Sequence, residues 1–288
     1  MATKLWVGTD TGNEGDWGTA ANWSPSGVPA NGDDVYIENT SQVIIGEDQS
    51  AVTLDSLNIA QSFTGTIGDD STYLQIGATA VRIGDHSGLS QPAGSGRIKL
   101  DLGAAASAVV IENSANISNE TNKPPIRIIC NHASTTIVTN KGKVGIANDP
   151  GETSVCSYIA TKYKDNQDSD ADVYSGPGVT AAAVVVSGGK HTMAHAGPAT
   201  VYGGKLITIG SGAITPLTFK NSKGDLRSTG TITLLTIDGA SEVDCRRQTV
   251  ARTIVTCNLD PGGTLHVNAS LTITNGPSVV NNMTMIAS

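Results

Sequence analysis

Short runs in which apolar and polar residues alternate follow one another along most of the chain from about residue 52 onward. Leu57 and Ile59 are separated by one polar residue, and the same spacing recurs at many later positions. The later pairs are Leu74 and Ile76, Val81 and Ile83, Leu100 and Leu102, Val109 and Ile111, Ile126 and Ile128, and Val144 and Ile146. A period of two predicts β-strands that bury one face each. Because helical spacing never persists over a full helix length, the pattern predicts an all-β fold.

Glycine pairs punctuate the second half of the chain at Gly188-Gly189, Gly203-Gly204 and Gly262-Gly263. Glycine adopts positive φ without a Cβ clash, so these pairs are expected at sharp corners. Many equivalent apolar runs recur after about 18 residues, close to the shortest solenoid periods. A coil this short buries its apolar face only by stacking on its neighbours. The sequence therefore predicts a single-stranded parallel β-helix, with a β-sandwich built from hairpins as the alternative.

Two segments interrupt this rhythm. Residues 1–46 contain all three tryptophans, Trp6, Trp17 and Trp23, and are expected to form an N-terminal cap and attachment segment. Large rings suit that role because the first coil of a solenoid has unpaired backbone groups and an open apolar floor. Residues 147–178 lack sustained alternation and are expected to be a loop insertion. Residues 47–146 and 179–288 then form the first and second parts of the β-helix.

Composition and charge narrow the possible partners. The 288 residues include 18 Lys and Arg against 26 Asp and Glu, which gives a net charge of −8. Nucleic acids and anionic membranes are therefore not expected as partners, because phosphate groups attract a basic surface. The first residues lack the apolar run of a secretory signal peptide, so synthesis in a cytoplasm is expected.

Candidate catalytic and metal-binding residues give little support to an enzyme. His191 and His195 are four apart, which on a strand separates them by about 13 Å, too far for one zinc ion. Glycoside hydrolysis needs two carboxylates across a cleft, whereas adjacent pairs such as Asp33 and Asp34 point to opposite faces of a strand. We therefore expect a non-enzymatic protein with no catalytic residues, no cofactor and no metal site.

The 147–178 segment contains the strongest candidate for a recognition loop. Aspartates at four positions lack the EF-hand spacing, so they are interpreted as a solvated loop, with calcium binding as a secondary hypothesis. Three tyrosines in the same segment could stack on sugar rings, although loop packing or a subunit contact explains them equally well. The residues of this candidate loop are Tyr158, Tyr163, Asp165, Asp168, Asp170, Asp172 and Tyr174.

The N-terminal segment carries a family resemblance. Its motif comprises Trp6, Trp17, Asn22-Trp23-Ser24, Gly27-Val28-Pro29 and Gly32-Asp33-Asp34-Val35. This pattern resembles the opening of bacterial and bacteriophage β-helical surface proteins, including autotransporter-like passengers. The continuation through about residue 102 resembles phage-encoded parallel β-helix proteins of the virion.

The resemblance implies a structural role in a phage particle. It favours a head decoration, or cement, protein that forms a homotrimer and binds the major capsid protein at the capsid surface of the virion. The implied capsid-facing or partner-facing residues are Trp6, Trp17, Trp23, Asp33 and Asp34. The alternative is a tail spike or adhesin that binds host surface glycans, with or without glycan-cleaving activity.

Overall fold

The computed structural model describes residues 2–38, 42–60, 62–63, 65–68, 72–84, 97–112, 124–162, 171–276 and 284–287. Apart from one short 3-10 helix, Ala20–Asn22, the regular elements are strands. They are β1 (Thr3–Trp6), β2 (Trp23–Ser24), β3 (Asp34–Ile37), β4 (Val43–Ile44), β5 (Asp48–Ile59), β6 (Thr66–Ile67), β7 (Leu74–Ile83), β8 (Ile98–Asp101), β9 (Ala108–Ile111), β10 (Ile126–Ile129), β11 (Thr136–Thr139), β12 (Lys143–Ile146), β13 (Ser154–Thr161), β14 (Asp172–Ser175), β15 (Val179–Val186), β16 (Lys190–Met193), β17 (Gly197–Val201), β18 (Lys205–Thr208), β19 (Ile214–Lys220), β20 (Lys223–Leu226), β21 (Ile232–Asp238), β22 (Glu242–Asp244), β23 (Arg252–Leu259), β24 (Thr264–Val267), β25 (Leu271–Asn275) and β26 (Thr284–Ala287). Within the described residues, no helix has the length and apolar character needed to span a membrane.

The strands from β3 onward form two parallel ladders, in which a strand pairs with the next but one along the chain, and β7 also pairs with β8. One ladder contains β1 and then the odd-numbered strands to β25, and the other runs through the even-numbered strands from β4 to β26. The paired segments of the described chain are parallel except for β1 with β2. This topology confirms the predicted parallel β-helix and excludes the hairpin-built sandwich, which needs antiparallel neighbours.

The coil length varies along the stack. In the second half the even ladder advances from Val173 to His191 by 18 residues, to Leu206 by 15 and to Gly224 by 18, close to the predicted period. In the first half the step from Ile98 to Ile126 is 28 residues. Strand β8 still pairs in register with β10 over four residues.

The core consists of columns of branched aliphatic side chains that repeat at the same register position. Each member is buried, and burial of one such side chain stabilises the fold by roughly 1.5–3 kcal/mol. One column of the odd ladder contains Val35, Leu57, Val81, Val109, Ile137, Ile159 and Val184.

The predicted glycine corners are confirmed. Gly189, Gly203, Gly204 and Gly262 have positive φ, between +62° and +116°. Gly204 also lies directly over the preceding coil, where an added Cβ would be 2.6 Å from the Gly188 carbonyl carbon. This corner therefore requires glycine both for its backbone conformation and for the close approach of two coils.

The predicted tryptophan cap is also confirmed. The Trp6 and Trp23 ring centroids are 4.9 Å apart and those of Trp17 and Trp23 are 4.6 Å apart, both in edge-on packing. All three rings are buried. Antiparallel pairing of β2 with β1 covers the outer edge of the first strand in the odd ladder. The aromatic cluster thus closes the apolar floor of the first coil.

The predicted loop insertion at residues 147–178 differs from the structure. Strand β13 pairs with β11 and β15, and β14 pairs with β12 and β16, so both belong to the stack. The alternation is hidden because polar or small residues occupy inward positions, namely Ser154, Cys156, Thr161 and Ser175, which are all buried. Residues 163–170 of this segment lie outside the described part of the chain.

Candidate functional site

The three tryptophans expected at a partner surface are used inside the cap. Trp23 donates its ring N–H to the Trp17 carbonyl oxygen at 2.8 Å, and Trp6 stacks on Trp17 at a centroid distance of 6.2 Å. Their burial leaves no ring surface for a partner. Any contact made by the cap must therefore use other residues.

The two aspartates of the motif also have structural roles. The Asp33 carboxylate accepts hydrogen bonds from the Ala30 amide at 3.0 Å and the Ala2 amide at 2.7 Å. These bonds, that from Ala30 above all, lower the pKa of Asp33. The Asp34 carboxylate accepts a hydrogen bond from the Ser56 hydroxyl at 2.5 Å, which joins β3 to β5. Both residues fix the cap to the first coils.

A surface depression lies beside the tryptophan cluster of the cap. Its volume is about 510 Å³, and it is lined by Gly12, Asn13, Glu14, Gly15, Asp16, Gln42, Val43, Ile45 and Glu47. Val43 is 56% exposed and Ile45 is 52% exposed, although Ile44 between them is buried. The three consecutive apolar residues are the sequence signal, because a strand with one buried face must expose part of such a run.

Three carboxylates, of Glu14, Asp16 and Glu47, line the same depression and are hydrogen-bonded to backbone amides. Glu47 accepts a hydrogen bond from the Trp17 amide at 2.6 Å, and Asp16 accepts one from the Gly18 amide at 2.7 Å. The Gly12 amide lowers the pKa of Glu14, so that carboxylate stays charged near neutral pH. We call the depression with Val43, Ile45 and these three carboxylates the cap groove. Its shape and charge fit an apolar segment that carries positive charge.

The predicted recognition loop is only partly described. Tyr158 lies at an outward position of β13 in the odd ladder, whereas Tyr174 lies outward on β14 in the even ladder, so the two rings belong to different ladders. Burial raises the pKa of Tyr174. Asp172 forms an ion pair with Lys190 at 2.6 Å. Tyr163, Asp165, Asp168 and Asp170 lie outside the described residues, and the part that is described contains no group of three metal-ligating side chains.

A polar cluster on the outer face of the even ladder escaped prediction. The guanidinium of Arg127 is buried against Asp149 at 2.5 Å, and the Tyr73 hydroxyl donates to Glu152 at 2.7 Å. Glu152 also accepts the Asp149 amide at 2.9 Å. Burial and the bond to Glu152 raise the pKa of Tyr73. The cluster fastens residues 148–152 over the strands, and its carboxylates are hydrogen-bonded within the protein.

Three arginines that are close in sequence, Arg246, Arg247 and Arg252, have different partners in the structure. Arg252 is buried and donates to the carbonyl oxygens of Leu226 at 3.2 Å and Ser228 at 3.1 Å. Arg246 pairs with Asp244 at 2.9 Å and holds the pKa of that carboxyl well below its ordinary value, at about 2. Arg247 contacts Asp225 of the preceding coil at 3.2 Å.

The two histidines lie in the interior of the β-helix. His191 is fully buried at a position where the adjacent coils have Val173 and Leu206. Its Nδ1 lies 2.9 Å from the Thr161 hydroxyl and its Nε2 lies 2.8 Å from the Ser175 hydroxyl. Burial lowers the pKa of His191 to about 3, so the ring is neutral near pH 7.

Comparisons with known proteins give no relative for this chain. No protein-family model, no curated protein and no solved structure matches it. The resemblance to phage β-helical virion proteins, which depends on the tryptophan motif and the strand pattern, therefore stays a prediction.

Proposed function

We propose that this chain is a structural protein of a phage virion, a head decoration protein that binds the major capsid protein as a homotrimer. The cap groove is the observation that carries the proposal. It places two exposed branched side chains, Val43 and Ile45, in one depression with the carboxylates of Glu14, Asp16 and Glu47. Exposed apolar residues within a polar rim are typical of protein contact sites.

The scaffold behind the groove supports a mechanical role. Parallel ladders continue from the cap through successive coils, and each coil is packed on the next by buried aliphatic columns. A stack of this kind transmits load along its axis because a packed interior has low compressibility. A decoration protein that joins neighbouring capsid subunits would resist outward pressure in the same way.

Several copies could be held side by side by the flanks of the β-helix. Outward positions of the odd ladder are occupied by small or neutral residues over consecutive coils, including Val185, Thr200, Thr218 and Thr236. Neutral flanks allow close approach of copies without strong charge repulsion. The proposal thus assigns the capsid contact to the cap groove and the contact between copies to the flanks.

Location and copy number in purified phage particles provide the direct test. We expect quantitative mass spectrometry to find hundreds of copies per particle and electron cryomicroscopy of the heads to show density on the capsid lattice. A handful of copies at the tail would instead support the tail-spike alternative. Absence from particles would overturn both assignments.

A matched pair of variants tests the groove. Ile45→Asp should weaken binding to purified empty capsids at least tenfold, because about 1.5–3 kcal/mol of apolar burial is lost. Val250→Asp is the control, since Val250 is as exposed but lies far along the chain from the cap. Light scattering during size-exclusion chromatography should give the mass of three chains of 29.4 kDa for both variants. Equal binding by the two variants contradicts the assignment of the groove.

A further inference from the structure

Three lysines occupy the same register position in three consecutive coils. Lys190 of β16 pairs in register with Lys205 of β18, and Lys205 pairs with Lys223 of β20. Neighbouring strands are about 4.8 Å apart, so the row spans about 10 Å. Like charges directly opposite each other destabilise a sheet. The three lysine charges therefore destabilise the sheet unless anionic groups neutralise them.

An acidic residue lies in register beside each end of the row, Asp172 beside Lys190 and Glu242 beside Lys223, and Glu242 is itself 3.1 Å from His266. Lys190 pairs with Asp172 at 2.6 Å, but the Lys205 ammonium is 3.9 Å from Asp225. Asp225 is already bound by Arg227 at 2.5 Å and by Arg247 at 3.2 Å.

Access to the row is open on the outer face. Within the described chain Lys223 is exposed and has no ion-pair partner. The side chains of Lys190 and Lys205 are 44% and 42% exposed. An anionic ligand from solution can therefore reach the row without displacing a protein group from Lys223.

An exposed aromatic ring lies at the corner before the row. Tyr202 is 53% exposed and is separated from Lys205 by the Gly203-Gly204 corner. The Lys220 ammonium lies 5.7 Å from the centroid of that ring. A flat ring beside cations can stack on one face of a sugar while the cations bind its acidic substituents.

The surface between these groups is a shallow strip with cations on both sides. Outward residues Thr192 and Ile207 form its half-buried floor, next to the lysine row. Arg227 and Arg247 border the opposite side, beyond Asp225. The strip is cationic although the whole chain has a net charge of −8. We call this strip, with the lysine row and Tyr202, the lysine face.

We propose that the lysine face binds an acidic polysaccharide, a chain of sugar rings that carries a carboxylate or sulfate at regular intervals. Evenly spaced ammonium groups match evenly spaced acidic substituents, and Tyr202 offers a stacking surface for a pyranose ring. Nucleic acid has no regular row of acidic sugar rings to stack on Tyr202, so oligo(dT) is the polyanion against which the preference for glycans is tested. This inference concerns the flank of the β-helix and is independent of the virion location and the cap groove.

Binding measurements on the full chain test the proposal. The probes are fluorescently labelled oligogalacturonate and heparin oligosaccharides, neutral dextran oligosaccharide and oligo(dT), each titrated at low and at raised salt. We expect saturable binding of one or both acidic glycans, weakened by salt, and no binding of dextran. The glycan that binds more tightly identifies the substituent as carboxylate or sulfate.

Variants connect the binding to named side chains. Lys223→Gln should weaken glycan binding about two- to fivefold and Lys205→Gln with Lys223→Gln about tenfold. Tyr202→Ala should weaken it about fivefold, with recovery in Tyr202→Phe, which retains the ring. Arg82→Gln removes one exposed cation from an earlier coil and is the control for net charge. Circular dichroism verifies that every variant is folded.

Three results would overturn the proposal. The first is that neither acidic glycan binds. The second is that Arg82→Gln weakens binding as much as Lys223→Gln, since the effect is then one of net charge. The third is that oligo(dT) binds as tightly as the glycans, because the face then recognises polyanions without preference for sugars.

Discussion

Individual polar residues inside the β-helix show how the stack accommodates groups that a purely apolar core would exclude. Both ring nitrogens of His191 are hydrogen-bonded to hydroxyls of the preceding coil, those of Thr161 and Ser175. Hydrogen bonding of both nitrogens offsets the cost of burying a polar ring. The arrangement depends on the neutral imidazole, because a protonated ring would be a buried charge with no carboxylate among its two contacts.

Acid sensitivity follows from the burial of His191. The unfolded chain takes up a proton on this residue near the ordinary pKa of 6.5, whereas the folded chain does so only near pH 3. Between these values the unfolded state binds more protons, so the contribution of His191 to stability is constant above about pH 6.5 and decreases as the pH falls. By pH 5 the loss from this residue is about 2 kcal/mol.

Urea unfolding at pH 7 and pH 5 measures this contribution. In His191→Gln, which keeps a donor and an acceptor, the decrease in stability between the two pH values should be smaller than in the unaltered chain by about 2 kcal/mol. His132→Gln, in a turn at the surface, is the control. Equal decreases in the two variants would falsify the assignment to His191.

At the scale of elements, the glycine corners and the segment of residues 148–152 that packs over the strands keep the strands in register. Gly204 combines positive φ with contact to the preceding coil, where an added Cβ would be 2.6 Å from the Gly188 and Gly189 backbones. Gly103 has positive φ but open space around its Cβ position, and Gly276 has open space without positive φ. A comparison of these three glycines therefore distinguishes the cost of backbone strain from the cost of steric contact.

Alanine substitutions at these glycines should therefore differ in size. We expect Gly204→Ala to destabilise the fold by about 3 kcal/mol, from the left-handed conformation and the clash together. Gly103→Ala should cost about 1 kcal/mol. Gly276→Ala should change stability by less than about 0.5 kcal/mol. The free energy of urea unfolding provides the ranking, and similar values at Gly204 and Gly103 would show that the coils relax around the added methyl group.

The fastening of residues 148–152 gives another prediction for an element. Tyr73→Phe removes the hydrogen bond to Glu152 and should lower stability by about 1 kcal/mol. Limited proteolysis should then cut within residues 148–152 sooner than in the unaltered chain, because the segment opens more often. Tyr36→Phe is the control, since the Tyr36 hydroxyl has no hydrogen-bond partner among the described residues. Unchanged cleavage would mean that the Arg127 and Asp149 pair holds the segment alone.

For the whole molecule, the alternating pattern was sufficient to predict the architecture. Leu57 and Ile59 occupy the inward positions that their spacing predicts, and Gly203-Gly204 forms a corner. The pattern was insufficient at β13 and β14, where inward positions contain Thr161 and Ser175. Polar residues there are stabilised by partners from other coils, which local spacing does not reveal.

The candidate sites were less predictable than the fold for the same reason. Arg127 lies at an outward strand position yet is buried, because residues 148–152 fold over it from the next coil. The lysine row unites residues 15 and 18 positions apart, so it emerges only once the coil register is known. Trp6, Trp17 and Trp23 were correctly assigned to the cap, but their mutual packing, which removes them from the surface, is a three-dimensional property.

Because all three tryptophans of the chain lie in the cap, its intrinsic fluorescence is an optical probe of one end of the molecule. Far-ultraviolet circular dichroism, in contrast, averages over every strand.

In this chain β25 has half-buried or exposed residues and pairs with β23, whereas β1 is covered by β2. In a stack held by nearest-neighbour contacts, unfolding should therefore begin away from the cap. We expect the fluorescence red shift to require more urea than the loss of strand signal, while coincident curves would show that the rod unfolds as one unit. The difference between the fluorescence and circular dichroism transitions then reports how far the boundary between folded and unfolded coils has moved toward the tryptophans.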